Sequence, residues 1–223
     1  MSQMMSKSTK NKKGMTLMIG GLLLITAALL LTGYNLWDEG RAAASAGDIL
    51  EQIVPVLQAD SDASGSEPDM SDATPQDQTV PDYILNPDMD MPTTTIEGHE
   101  YIGVLTIPAL NLSLPVMSDW SYPKLKIAPC RYQGSAYTDD LIIAGHNYRT
   151  HFGGLNTLST GDQVVFTDVD GNQFVYAVVE IEVLMNTDVE RMETGDWDLT
   201  LFTCTLGGKN RVTVRCEKVD SPE

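Results

Sequence analysis

One cysteine, one histidine and one arginine occupy places in this chain where together they could do chemistry. Cys204 ends the apolar, β-branched stretch Leu199-Thr200-Leu201-Phe202-Thr203 and precedes the turn-forming Thr205-Leu206-Gly207-Gly208-Lys209-Asn210. Arg211 then opens a second strand-like run. If the two runs pair as a hairpin, Cys204 and Arg211 face each other at its mouth. A guanidinium so placed favours thiolate over thiol and can hold an oxyanion. His146 follows the short continuous apolar run Leu141-Ile142-Ile143-Ala144, with only Gly145 between. An imidazole at a strand end can point into a cleft, and its ordinary pKa of about 6.5 suits proton exchange at neutral pH. A thiol with a guanidinium nearby, and an imidazole able to move protons, could serve nucleophilic acyl transfer.

The bland readings of these residues are structural. Cys204 could pair with Cys216, but in a hairpin that sets Cys204 against Arg211, Cys216 lies about five residues further along. At about 3.3 Å per residue that is over ~15 Å, against the ~7 Å between Cα atoms that a disulfide allows. Cys130 is not placed by this argument, so a bridge from Cys130 to Cys216 stays open. So does the reading of both as small buried apolar residues. A metal site fits poorly, because His99, His146 and His151 lack tight zinc spacing and the cysteines form no CxxC.

The elements that must position these groups read as strands. Runs at 101–107, 112–116, 141–144, 163–167, 174–184, 199–203 and 212–219 are apolar and β-branched, with Pro108, Gly161-Asp162 and Asp170-Gly171 marking turns. Several short strands with turns between them argue for a mainly β sandwich or closed barrel. Helix is expected only at 121–126 and as a turn near 154–158.

Upstream the composition changes twice. Residues 15–37 carry no charge and follow a cluster of Lys7, Lys10, Lys12 and Lys13. About 20 apolar residues span a bilayer core of about 30 Å. The positive-inside rule keeps the lysines in the cytoplasm, and Tyr34 and Trp37 suit an interfacial belt. A cleaved signal peptide is the alternative, although its apolar region is ordinarily shorter. Residues 39–58 repeat Ile49, Leu50, Ile53, Val54 and Leu57 at helical spacing, against Pro55. From 59 to 95, Ser, Asp, Pro and Thr dominate, which reads as a flexible, solvated stalk. The resulting plan is a basic cytoplasmic tail over 1–14, a membrane helix over 15–37, a juxtamembrane and linker segment over 38–95, and a catalytic domain over 96–220. With 14 basic against 31 acidic residues, net charge −17, the chain is unsuited to phosphate-backbone contacts, so nucleic acid is not an expected partner.

The stretches LIIAGHNYRTHFGGL at 141–155 and LFTCTLGGKNRVTV at 201–214 resemble the catalytic-histidine region and the TLxTC-plus-arginine region of sortases. Ile107-Pro108, Leu114-Pro115-Val116 and the turn Ser159-Thr160-Gly161-Asp162 resemble that family as well. The resemblance covers nearly all of 96–219. It implies an eight-stranded β-barrel with short helices, behind one N-terminal membrane helix and a disordered stalk.

In such an enzyme Cys204 is the nucleophile toward a sorting signal of secreted surface proteins. His146 is the general acid and base, and Arg211 holds the substrate backbone or the oxyanion. Thr203 shapes the pocket, with Asn147 and Tyr148 as neighbouring substrate contacts. Arg215 is the alternative arginine, four residues deeper. The acceptor is an amine of a cell-wall precursor or a pilin. The implied location is the cell membrane, single-pass, with the catalytic domain outside.

The absence of a second apolar span and of a lid motif favours anchoring over pilin polymerisation. No cofactor is called for. Part of the family depends on calcium, and Asp139, Asp140, Asp168, Asp170, Glu180 and Glu182 are material for a site, read here as a solvated face. Rival functions are a cysteine peptidase or hydrolase on the same scaffold and a non-enzymatic, membrane-tethered β binding module.

Overall fold

A computed structural model describes residues 6–63 and 80–219. The chain divides into two compact units, one ending at Arg41 and one beginning at Ala42. Helix α1, Ser6–Ala63, contributes to both.

In the first unit α1 is apolar and exposed on all sides, Leu22, Leu24, Leu30 and Leu31 included. It is long and apolar enough to cross a membrane. Its polar side chains are satisfied locally: the hydroxyls of Thr26 and Thr32 donate to the carbonyls of Leu22 and Ala28, each at 2.9 Å. That is how a hydroxyl is accommodated where no water is available. One N-terminal apolar helix of this kind fits a single-pass membrane anchor.

The second unit is a β-barrel. Its strands are β1 (Thr94–Ile96), β2 (His99–Ile107), β3 (Leu112–Met117), β4 (Cys130–Gln133), β5 (Leu141–Ala144), β6 (Gln163–Asp168), β7 (Gln173–Met185), β8 (Leu199–Cys204) and β9 (Asn210–Lys218). The order β2-β3-β4-β5-β8-β9-β7-β6 returns to β2 through a β2–β6 pairing, so eight strands close the barrel and β1 is an appended hairpin strand. Closure removes the open edges that a sheet of this size would otherwise present. The seven strand-like runs all form. β1 and β4 were not expected, because three or four residues are too few to show alternation.

The short helical pieces are α2 (Asp82–Leu85), α3 (Tyr122–Leu125), α4 (Val189–Glu193) and 3-10 turns at Pro108–Leu110 and Phe152–Thr157. The interior holds Ile102, Leu105, Ile143, Phe166, Tyr176 and Val214 among others.

Two upstream segments belong to this unit. Ala42, Ala46, Ile49, Ile53 and Leu57 form one buried stripe of α1. Ile49, Ile53 and Leu57 pack with Ile96, Tyr101, Val104 and Met117. Pro55 lies within α1 without ending it. Residues 80–95, expected from composition to be stalk, run along the barrel. Tyr83 stacks on Tyr137 at 4.7 Å, and Met91 is buried in the core. A window average dominated by Asp, Pro and Thr hides these few apolar anchors. The remainder of the expected stalk, 64–79, lies outside the described residues, as do residues 1–5 of the basic tail.

The acidic residues read as a solvated face are not all solvated. Asp168 is fully buried. It accepts from the Tyr137 hydroxyl at 2.7 Å, the backbone N–H of Asp170 at 3.0 Å and that of Asn172 at 2.9 Å. It therefore staples the β6–β7 turn to the barrel. Glu182 is committed to Arg215 and Arg191. No cluster of three or more potential metal ligands occurs among the described residues.

Candidate active site

Strand order pairs Cys204 with Arg211 and sets the end of β5, which leads to His146, against β8. β8 lies between β5 and β9. On one side β8 and β9 are antiparallel, with Cys204 directly opposite Arg211, so the two side chains share a face of the sheet. The connecting turn needs two residues with positive φ, and Gly207 (87°) and Gly208 (70°) supply them. On the other side β5 and β8 are parallel, with Ala144 paired to Phe202. Gly145 N–H continues this ladder to the Phe202 carbonyl at 3.0 Å. Cys204 ends β8 two residues past Phe202, and His146 lies in the loop two residues past the end of β5. Arg215 pairs with Thr200 deep in the same ladder. It is thereby removed from the thiol, as its sequence position suggested.

Cys204 lines a groove of about 190 Å³ with Trp120, Tyr122, Tyr132, Met192 and Phe202. The aromatic rings form a run: Trp120 meets Tyr122 edge-on at 5.7 Å and Tyr132 at 5.4 Å, and Tyr132 meets Phe202 edge-on at 5.4 Å. Such a wall takes apolar side chains in extended conformation. Thr203, also in the wall, has a buried hydroxyl with no partner. The groove aromatics other than Phe202 were not singled out from the sequence. The close spacing of Trp120 and Tyr122 on a short helix start was the signal available.

The arginine is at hand but turned aside. Arg211 Nη1 donates to the carbonyls of Gly208 at 3.1 Å and Asn210 at 3.2 Å. Both acceptors belong to its own turn, and the Gly208 contact is exposed to water. The guanidinium can therefore leave them at small cost.

Around His146, Asn147 Oδ1 lies 3.2 Å from Nδ1. An amide oxygen only accepts, so in this contact Nδ1 is the donor. Tyr148 stacks on the imidazole, with centroids 4.0 Å apart and planes 7° from parallel. His151 stands beyond Tyr148 at 5.5 Å. It is 0% exposed, and burial pushes its pKa down to about 4, with His146 adding to the effect and the Ala42 main chain opposing it. An enclosed imidazole kept neutral in this way suits packing better than proton exchange.

All three cysteines are free, so the Cys130–Cys216 bridge left open above does not form. Burial pushes both of those thiols up to about 12. They are inert, and the half-buried Cys204 alone faces the groove.

The fold is a closed eight-stranded barrel, with Cys204 and Arg211 paired at the end of β8 and β9. The sequence model of the sortase domain matches residues 105–219, just over half of the chain, and the chain belongs to the sortase family. Solved structures agree in fold. The Clostridium perfringens sortase D5 transpeptidase has 17% identity and TM-score 0.51, with 74% of this chain and 96% of that one covered. Sortase C1 of Streptococcus agalactiae has 20% identity and TM-score 0.51, covering 82% and 96%. Sortase A of Corynebacterium diphtheriae has 21% identity and TM-score 0.50, covering 86% and 96%. No curated protein matches the chain. Family and fold support a transpeptidase-type role.

Proposed function

We propose that this sortase joins a sorting-signal peptide of secreted surface proteins to an amine of the cell wall or of a pilin. In the first step the Cys204 thiolate attacks the scissile carbonyl. The C–S bond forms, the C–N bond breaks, and His146 gives a proton from Nε2 to the leaving amine. In the second step the incoming amine attacks the thioester. His146 takes its proton, the new C–N bond forms and the thiolate leaves. Arg211 swings from its turn to hold the oxyanion that appears in each step. Thr203 offers its unpartnered hydroxyl to the bound peptide backbone. The aromatic groove receives the apolar residues of the signal.

The observation that supports this reading best is the β5-β8-β9 order, with Cys204 opposite Arg211 in an aromatic groove and β5 leading directly to His146. Splitting one amide exchange into two acyl transfers through sulfur is the chemistry such a set provides. The lysine cluster before the apolar stretch 15–37 keeps the N-terminus in the cytoplasm and the barrel outside, where exported substrates pass.

The test uses the full chain in detergent, a panel of sorting-signal peptides, a small primary amine and mass spectrometry. A peptide adduct on Cys204 that moves to the amine, and that is absent from folded Cys204→Ala, is expected. An adduct released to water in the presence of saturating amine makes the enzyme a hydrolase. No adduct with reduced, folded protein across the panel rejects the reading.

A further inference from the structure

His146 sits in a loop, not in a strand, so something other than the barrel ladder must fix its ring. The loop backbone is anchored well. Phe152 N–H donates to the His146 carbonyl at 3.0 Å, and the N–H groups of His151 and Gly153 both donate to the Tyr148 carbonyl, at 3.0 and 2.8 Å. Gly145, just before the histidine, packs against the Phe152 ring so closely that a Cβ there would lie 2.4 Å from it. These contacts hold the main chain. They do not by themselves set the two side-chain torsions of a half-buried histidine.

The side-chain contact that fits this need is Tyr148. Its ring lies flat against the imidazole at 4.0 Å and 7°. It is backed by the ring of His151 at 5.5 Å and 58°. His151 is itself wholly buried and cannot give way. Three rings thus stand in series, and the innermost is fixed by the core. Stacking engages the face of the imidazole and not the nitrogens at its edge, so it restrains the ring without competing for the proton. An aromatic face also favours a cation over it, and the imidazolium is the form that must protonate the leaving amine.

We infer that Tyr148 is a positioning residue for His146, acting through its ring face, and is not the substrate contact that sequence alone suggested. The inference rests on the transpeptidase reading above and adds a residue to its machinery. A ring-face role makes three separate demands. The hydroxyl is dispensable, an apolar side chain of similar bulk is not a substitute, and the affected quantity is turnover, not peptide affinity.

The experiment compares full-length wild type, Tyr148→Phe and Tyr148→Leu in detergent, by steady-state acyl transfer and by NMR of the histidine ring protons. Wild type and Tyr148→Phe are expected to share an upfield ring-current displacement of the His146 ring signals and a kcat within about twofold. Tyr148→Leu is expected to lose the displacement and about tenfold or more in kcat, since small misplacement of a reacting group is costly. Its KM for the peptide and its melting temperature stay near wild type. A raised KM with unchanged kcat in Tyr148→Leu returns Tyr148 to substrate binding and overturns the inference. Loss of activity in Tyr148→Phe overturns it by assigning the role to the hydroxyl. Absence of the displacement in wild type overturns it by removing the stack. A wild type that stacks but transfers nothing rejects the transpeptidase reading itself and this role with it, and the NMR arm tells that case from the others.

Discussion

Cys204 and Arg211 are the last cross-strand pair of the β8–β9 ladder, yet the guanidinium of Arg211 hydrogen-bonds carbonyls of its own turn, at Gly208 and Asn210. The pairing sets the arginine's backbone beside the nucleophile. The side chain remains able to swing between the turn and an oxyanion over Cys204. Its resting partners are neutral carbonyls near water and hold it weakly compared with a developing negative charge.

Removal of that charge should therefore appear in the chemical step. Arg211→Ala is expected to lower kcat/KM for acyl transfer by about 10²- to 10³-fold, as for other oxyanion donors. Arg211→Lys should recover only a small part, because a point charge lacks the planar fork. Steady-state kinetics with one peptide and one amine would check this, and wild-type rates in Arg211→Ala would remove the arginine from the mechanism.

Arg215 has the opposite character. It is 1% exposed and donates to Glu182 at 3.1 Å, the Thr200 hydroxyl at 3.0 Å, and the carbonyls of Met192 at 2.9 Å and Arg191 at 2.5 Å. It thereby ties α4, which supplies Val189 and Met192 to the groove, to the barrel wall. Arg215→Met leaves Glu182 with Arg191 alone and removes a donor from two carbonyls, and should cost about 1–3 kcal/mol in urea unfolding. At a temperature where the variant is folded, KM should rise more than kcat falls. Unchanged stability would mean that the clamp is not closed in solution.

His151 makes stability depend on pH. The unfolded imidazole titrates at about 6.5 and the folded one at about 4. Between these values the unfolded chain binds more protons, so stability rises with pH across the window and is lost as pH falls from about 6.5 to about 4. At most about 3 kcal/mol is involved, from the size of the shift. His151→Phe keeps an aromatic ring, at slightly larger volume, without a titratable group and should flatten this dependence. Denaturant midpoints of both proteins at pH 7.5 and pH 5 test it: equal slopes in the two would contradict a buried neutral histidine. The same variant should retain far more activity than His146→Ala.

The stripe Ala42, Ala46, Ile49, Ile53 and Leu57 makes residues from 42 on part of the folded catalytic unit. A fragment beginning at 42 should be more stable than one beginning at 80 by on the order of 5 kcal/mol, the burial of Ile49, Ile53 and Leu57 being most of it. The shorter fragment should also expose Ile96, Tyr101, Val104 and Met117 and bind a hydrophobic dye. Equal melting temperatures would argue that the stripe is not docked in solution.

Local chemistry was legible in the chain. The hairpin register between Cys204 and Arg211 follows from a turn rich in glycine flanked by two strand-like runs, because a short turn leaves few ways to pair its strands. The isolation of Cys216 from Cys204 follows from the same register. His146 could be placed at a strand end for the same local reason.

Other features are written in no local stretch. The parallel pairing of β5 with β8, which sets the strand leading to His146 against the strand ending in Cys204, joins segments remote in sequence, and closure through β2 and β6 does likewise. Such pairings are selected by burying both faces of several strands at once, a property of the whole barrel. The helix stripe was visible as a period, but its partner surface was not, since Ile96, Tyr101 and Met117 become neighbours only when β1, β2 and β3 pair. The burial of Asp168, the clamp of Arg215 and the stack of Tyr148 on His146 have the same origin. Residue type and spacing determined which groups could react. Packing decided which acids and bases are enclosed, which thiol is open, and which ring holds the histidine, because enclosure depends on what the rest of the chain brings to each side.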